Sequence, residues 1–316
     1  MDITGYAINA DAGMLDGNME TLRRELDYYH KIGFNHIELS PHGVGVIFNG
    51  RLVPERMGEL YGILSMFPFR YTVHSPNTMN LMNLHELEME RNLFLASIEF
   101  TRSVKADNLI YHCGRYISEE DFLNPHHINP TPSEKNHMWE TEKHLLQEMA
   151  TAAKHNGISI CLENAPPYLN RSPYCYAERL DQLKKMVVEV DRENVGICLD
   201  AGHAYLASRF YSFDYLAAIA CVAPYVKHIH LHDNYGRAST FYEKKQLEMT
   251  AVGRGDMHMP IGWGEVPVIG TLSILKHYQG VITLVMQPRY RPYYKETLEK
   301  AHELTGMRIL DKAMSF

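Results

Sequence analysis

Residues 158–200 read ISICLENAPPYLNRSPYCYAERLDQLKKMVVEVDRENVGICLD and contain one complete unit of the fold. ISICLE (158–163) is a short β-rich apolar run that ends in a carboxylate, YAERLDQLKKMVVEVD has the three-to-four spacing of an amphipathic helix, and VGICLD (195–200) is a second run ending in a carboxylate. Two strands joined through a helix lie parallel in one sheet, because a hairpin cannot connect them. The same alternation extends both ways along the chain: ITGYAINA (3–10), FNHIELS (34–40), RYTVHS (70–75), NLIYHC (108–113), VKHIHLHD (226–233) and VITLVMQ (281–287) complete a set of eight strands. Helical patterns such as METLRRELDYYHKIG, HELEMERNLFLASIEFTRSVKA and WETEKHLLQEMATAAKHNG separate them. Eight such units predict a closed (β/α)₈ TIM barrel, one domain over residues 1–316. A doubly wound open sheet would call for a glycine-rich phosphate loop after the first strand, and INADAGM is a poor match to one.

Composition agrees with a soluble globular chain. Apolar residues make up 45% and charged residues 22%. The N-terminus lacks a basic segment followed by an apolar one, and no uninterrupted apolar run approaches about 18 residues, so a cytoplasmic protein without a membrane span is expected. The cysteines Cys113, Cys161, Cys175, Cys198 and Cys221 are odd in number, scattered and mostly within apolar runs, which points to reduced buried thiols rather than a disulfide framework. A formal net charge of −7 repels polyanions, and nucleic acid is therefore not the expected partner.

The 18 histidines concentrate just after the apolar runs. Side chains alternate along a barrel strand, so the last inward residue of each strand points to the mouth of the barrel, where the long following loops lie. Those strand-end residues are His74, His112, Glu163, Asp200 with His203 one turn on, His230 and Gln287, and the loop after the seventh strand adds Asp256 and His258. Taken singly, each has an ordinary structural explanation, such as a helix cap or a hydrogen-bonded core histidine. As a set, imidazoles and carboxylates converging from successive strands are what a divalent transition metal requires.

The segments VHSPN, YHCGR, CLENAP, CLDAGHA, HLHDN and GDMHMPIGWGEV resemble the motif series of the xylose-isomerase-like TIM barrels, a superfamily of sugar isomerases, 3-epimerases, inosose dehydratases and endonuclease IV. The resemblance runs from the third strand to the eighth. It implies a metal-dependent protein holding one to three ions of zinc, manganese or iron. The epimerase-type ligand set carries over onto Glu163, Asp200, His230 and the position of Gln287. The zinc cluster of the endonuclease branch carries over onto His74, His112, Glu163, Asp200, His203, His230, Asp256 and His258. Gln287 departs from both branches, which have glutamate there, and so keeps one coordinating oxygen without the charge.

An amide cannot accept a proton from carbon, so a symmetrical two-base epimerisation is in doubt and chemistry with one base, isomerisation or elimination, is favoured. Glu163 and His203 are the candidate catalytic residues, and a small carbohydrate is the expected substrate. Two other classes stay open: a multi-metal phosphoesterase of the endonuclease type, and a non-catalytic metal-binding barrel. Glu38, His232, Arg254 and Arg289 are expected to contact substrate, with histidine pairing the alternative for Glu38 and an inner supporting place the alternative for His232. Arg289 and Arg291 follow the eighth strand, where barrels often bind phosphate or carboxylate. His228, deeper on its strand, is read as an interior hydrogen-bonded residue. The loop 115–139 reads as a lid or a contact in a homo-oligomer, with its adjacent His126 and His127 facing solvent rather than metal.

Overall fold

The computed structural model describes residues 1–124, 129–240 and 248–306, so the 125–128 segment with His126 and His127 lies outside the described residues. Strands β1 (Asp2–Asn9), β2 (His36–Leu39), β3 (Arg70–His74), β4 (Asn108–His112), β5 (Ser159–Glu163), β6 (Val195–Asp200), β7 (Val226–Leu231) and β8 (Gln279–Leu284) form the sheet. It closes in the order β1-β8-β7-β6-β5-β4-β3-β2, with every pair parallel. The expected barrel is the observed fold.

Helices fill the connections for the reasons the sequence suggests. The helix Met19–Ile32 starts at Asn18, whose side chain accepts from the Thr21 amide, and stops at Gly33, whose φ of 102° an L side chain rarely adopts. The helix Pro132–Lys154 begins inside the expected 115–139 loop, because Thr131 and Glu134 form a reciprocal capping box with proline at the first turn. Similarly, the connection after β2 is not bare loop. It carries an antiparallel ribbon pairing Ile47–Phe48 with Arg51–Leu52, followed by the helix Pro54–Leu64.

The eighth strand ends three residues before the expected Gln287. Val285 still donates to the Leu231 carbonyl at 3.1 Å, but the Met286 amide turns to Asn9 Oδ1 at 2.9 Å. Pro288, which has no N–H, then opens the 3₁₀ helix Pro288–Tyr293, and Gln287 is its N-cap residue.

Alternation along β5 and β6 sends Leu162 and Leu199 into the main core and puts Cys161 and Cys198 with Ile110 in a small separate buried cluster. Glu163 and Asp200 follow in that second phase. Among the described residues all five cysteines are free, Cys221 alone being exposed, and no helix is long and apolar enough to cross a membrane.

One irregularity sets the register of the histidine-rich strand. Ile197 pairs with Val226, yet Cys198 pairs with His228, so Lys227 is an extra residue and Asp200 comes to lie opposite His230. An uninterrupted ladder from Ile197 would have placed Ile229 there. The bulge rests on Gly196: a Cβ at that position would lie 2.5 Å from Lys227 Cδ and 2.8 Å from the Tyr225 carbonyl oxygen.

Candidate metal centre

Register brings the strand-end groups together in pairs. Glu38 lies opposite Thr72, His112 opposite Glu163, and His230 opposite both Asp200 and Thr283. In a parallel barrel such partners project to the same side, so groups far apart in sequence share one layer.

Glu163, 2% exposed, is at the centre of the layer. Its Oε2 is 3.1 Å from both His74 Nε2 and His112 Nε2, and its Oε1 is 2.9 Å from His230 Nδ1 and 4.0 Å from His203 Nδ1. The two oxygens therefore face two different histidine groups. Asp200 Oδ2 lies 3.9 Å from His230 Nδ1. A neighbouring group forms around Asp256, whose Oδ2 meets His203 Nε2 at 2.9 Å and His258 Nε2 at 2.7 Å. Three sets, His74/His112/Glu163, Glu163/Asp200/His203 and His203/His232/Asp256/His258, each bring their donor atoms within 4.8 Å of one another.

Burial would raise the carboxyl of Glu163, but the His112 and His230 imidazoles and the hydrogen bonds from His230 and His74 outweigh it and hold the group well below the usual carboxylate range. Asp256 is held down in the same way, with burial opposed by His258 and His203. Burial disfavours the charged form of His203, yet Asp200 and Asp256 overcome it and push the imidazole up to about 10.

The hydrogen bonds behind the imidazoles test whether the cluster suits a metal. His74 Nδ1 bonds the Ser75 carbonyl at 2.7 Å, His203 Nδ1 the Asn164 carbonyl at 2.9 Å, His258 Nδ1 the Val285 carbonyl at 3.3 Å, and His230 Nε2 the Glu38 carboxylate at 3.0 Å. Carbonyls and carboxylates only accept, so each of those nitrogens carries the proton of the neutral ring. The other nitrogen of each ring, if the ring is neutral, aims a lone pair at the lone pairs of Glu163 or Asp256. That arrangement is favourable only with a cation between them, either a proton or a metal ion. Asp256 Oδ1, moreover, is buried without a hydrogen-bond partner. The residues fit a divalent metal.

The loops hold the cluster from outside. Asp200 ends β6 and caps the helix Ala201–Tyr211, its Oδ1 accepting the His203 amide at 2.7 Å. His232 Nε2 reaches the same carboxylate at 3.0 and 3.1 Å, and the His232 ring stacks on that of His258 with centroids 4.0 Å apart. Gly202 leaves room for that ring, since a Cβ there would sit 2.5 Å from Nε2 and 2.6 Å from Nδ1 of His232. His258 has a φ of 45°, a left-handed conformation costing a non-glycine residue about 1 kcal/mol or more. The paired backbones of Asp233 and Met259, bonded at 3.0 and 3.1 Å, hold it in place.

Of the expected substrate contacts, Glu38 and His232 are 4% and 0% exposed and engaged with His230 and Asp200, an inner supporting place rather than an open one. Arg254 and Arg289 are exposed, and no ion pair is seen for either among the described residues. Arg291 is a structural residue instead, pairing with Glu25 at 3.0 Å and lying 3.6 Å over the Tyr28 ring. Gln287 is half-buried beside His258, to whose carbonyl its backbone N–H donates at 3.3 Å. His228 is fully buried and meets Thr283 Oγ1 at 2.9 Å, as expected of an interior residue.

Sequence reading missed Asn164 and the threonines. Asn164 Nδ2 donates to the Asp200 carbonyl and its Oδ1 accepts the Asp200 amide, both at 2.9 Å, tying the ends of β5 and β6 together. Its position directly after Glu163 was the available signal. Thr72 and Thr283 donate to Glu38 from the middle of unremarkable strands, where nothing in the sequence marks them.

A barrel with histidines and carboxylates gathered at the carboxyl ends of its strands defines the class. Residues 26–305 match the family described as xylose isomerase-like TIM barrel, and the chain belongs to that family. A D-tagatose 3-epimerase-like protein superposes with a TM-score of 0.68 at 20% identity, over 96% of this chain and 98% of the other. The IolI protein, solved with a zinc atom, superposes with a TM-score of 0.62 at 16% identity, over 97% of this chain and all (100%) of the other. An uncharacterized protein of Methanocaldococcus jannaschii, MJ1311, is 28% identical over 173 residues, 53% of this chain and 50% of that protein, so the chain spans about half the length of this curated relative.

Proposed function

We propose that the protein is a metal-dependent isomerase, epimerase or lyase acting on a small hydroxylated carbonyl compound, a sugar or keto-sugar, with proton removal next to the carbonyl. The observation that carries this reading is the ring of imidazoles whose backs are fixed by acceptors and whose other nitrogens converge on Glu163 and Asp256. Glu163, Asp200 and His230 would hold a divalent ion, with His74 and His112 on the other oxygen of Glu163. When bound, such an ion acts as a Lewis acid toward the oxygens of a carbonyl substrate. Glu163, kept ionised by its histidines, is the candidate proton acceptor. His203 has both nitrogens committed, to Asn164 and Asp256, and so orients the cluster rather than acting as a free acid. Membership of a family that includes sugar epimerases and isomerases supports a carbohydrate substrate.

A second reading, a multi-metal phosphoesterase, is favoured by one feature: the His203/Asp256/His258 group adds ligands that a single-ion site does not need. Elemental analysis of protein never exposed to chelator or metal resin, combined with a substrate screen in D₂O, separates the two. Deuterium incorporation beside the carbonyl of a keto-sugar supports the first reading. Cleavage of abasic-site DNA without sugar turnover transfers the assignment to the second, and absence of transition metal overturns both.

A further inference from the structure

Of the four imidazoles anchored from behind, three lean on main-chain carbonyls and one, His230, leans on a side-chain carboxylate. That carboxylate belongs to Glu38, at the end of a strand three positions around the barrel from β7. Its Oε2 accepts from Thr72 Oγ1 at 3.2 Å and Thr283 Oγ1 at 3.1 Å as well as from His230 Nε2 at 3.0 Å. Glu38 is 4% exposed, His230 2%, and both threonines 3% or less. The threonines are register neighbours, Thr72 of Glu38 and Thr283 of His230, so the sheet itself fixes the acceptor against the ring. Two hydroxyl donors keep the oxygen oriented, leaving His230 Nε2 no choice but to donate.

We infer that Glu38 is a positioning residue that fixes the His230 tautomer, presents Nδ1 as the ligand atom toward Glu163 and Asp200, and strengthens that nitrogen as a donor. The effect on the metal rests on the metal-binding reading above, whereas the hydrogen bond to Glu38 holds a proton on His230 Nε2 in the metal-free protein as well. A carboxylate behind an imidazole draws on its N–H and leaves more electron density at the opposite nitrogen than a neutral carbonyl does. His230 is thus the strongest donor of the four anchored imidazoles, and the strength is set by a residue that touches neither ion nor substrate. Because the acceptor is a side chain, the effect can be altered by mutation, unlike the carbonyls behind His74, His203 and His258.

Three proteins test this: the parent, Glu38→Gln, which keeps an oxygen for the threonines and His230 but removes the charge, and Glu38→Ala, which removes the acceptor. Zinc affinity is measured by competition with a chromophoric chelator, and the Co²⁺ absorption spectrum is recorded for each. Loss of a ligand's outer partner costs about 10- to 100-fold in metal affinity. The expected order is about tenfold weaker for Glu38→Gln and about a hundredfold for Glu38→Ala, with a changed Co²⁺ spectrum and unchanged far-ultraviolet circular dichroism. If Glu38→Ala fails to fold, Glu38→Gln decides. Equal affinity and an identical spectrum in Glu38→Gln overturn the inference while leaving the metal site intact. Imidazole ¹⁵N shifts in the metal-free parent give an independent reading: a proton on His230 Nε2, with or without a second on Nδ1, supports the inference, and a ring protonated only at Nδ1 overturns it. A parent that binds no zinc or cobalt refutes the metal site instead, and the ¹⁵N result then judges the tautomer alone.

Discussion

Replacing Gly202 by alanine sets two effects of opposite sign against each other. Gly202 lies in the first turn of the helix Ala201–Tyr211, where exchanging glycine for alanine ordinarily gains up to about 1 kcal/mol. Here the new methyl would fall 2.5 Å from His232 Nε2, and the ring cannot retreat freely because it is fully buried and stacked on His258 at 4.0 Å. Displacing it breaks the bonds of 3.0 and 3.1 Å to Asp200. A charge-assisted hydrogen bond contributes about 1.5–3 kcal/mol and overpacking costs about 1–3 kcal/mol. Set against the helix gain, the net is a destabilisation of about 1.5–5 kcal/mol. Urea unfolding of the metal-free parent, Gly202→Ala, His232→Ala and the double variant measures it. In the His232→Ala background the alanine should become neutral or stabilising, because the clash has gone. A Gly202→Ala protein as stable as the parent, or a cost undiminished when His232 is absent, refutes the steric account.

Gln287→Glu places a carboxylate beside His258, and if residue 287 ligates the ion, metal affinity should rise about tenfold or more. An unchanged or weaker affinity in chelator competition removes Gln287 from the ligand set. Metal uptake should also be strongly pH-dependent. His203 is pushed up to about 10 in the metal-free protein, so at neutral pH its Nε2 carries a proton that a metal must displace. Apparent affinity should therefore climb as pH rises toward that value, with proton release seen as a buffer-dependent heat in titration calorimetry. The same raised value stabilises the metal-free fold fully below the ordinary histidine range near about 6.5, and that contribution is lost as pH rises through about 10. Metal uptake without proton release between pH 6 and 9 contradicts the assignment of His203.

The barrel was legible because each strand is a short apolar run ending at a polar residue, a pattern that survives without knowledge of neighbours. His74, His112, Glu163, Asp200 and His230 were legible for the same reason: they are the last inward residues of their strands. Chain direction proved harder to read than chain identity. The run VITLVMQ gives no sign that the ladder stops at Leu284, since that depends on Asn9, at the far end of the chain, capturing the Met286 amide. Whether a polar side chain faces the open mouth or an inner neighbour was likewise illegible. Glu38 and His232 carry groups suited to either, and only tertiary register decides that they pair with His230 and Asp200. Arg291 looked available for an anion until Glu25, on another helix, proved to be its partner.

The bulge at Lys227 makes strand register, as much as side-chain identity, a property that the centre depends on. With Ile197 still paired to Val226 and the extra residue absorbed into a regular ladder, His228 would take the place opposite Leu199 and Ile229 the place opposite Asp200. Every residue from His228 onward would then exchange faces, and the imidazoles of this strand would point at the surrounding helices. Absorbing Lys227 into the ladder would thus take His230 and His232 away from the mouth, whereas deleting Lys227 would remove the extra residue and leave His230 opposite Asp200.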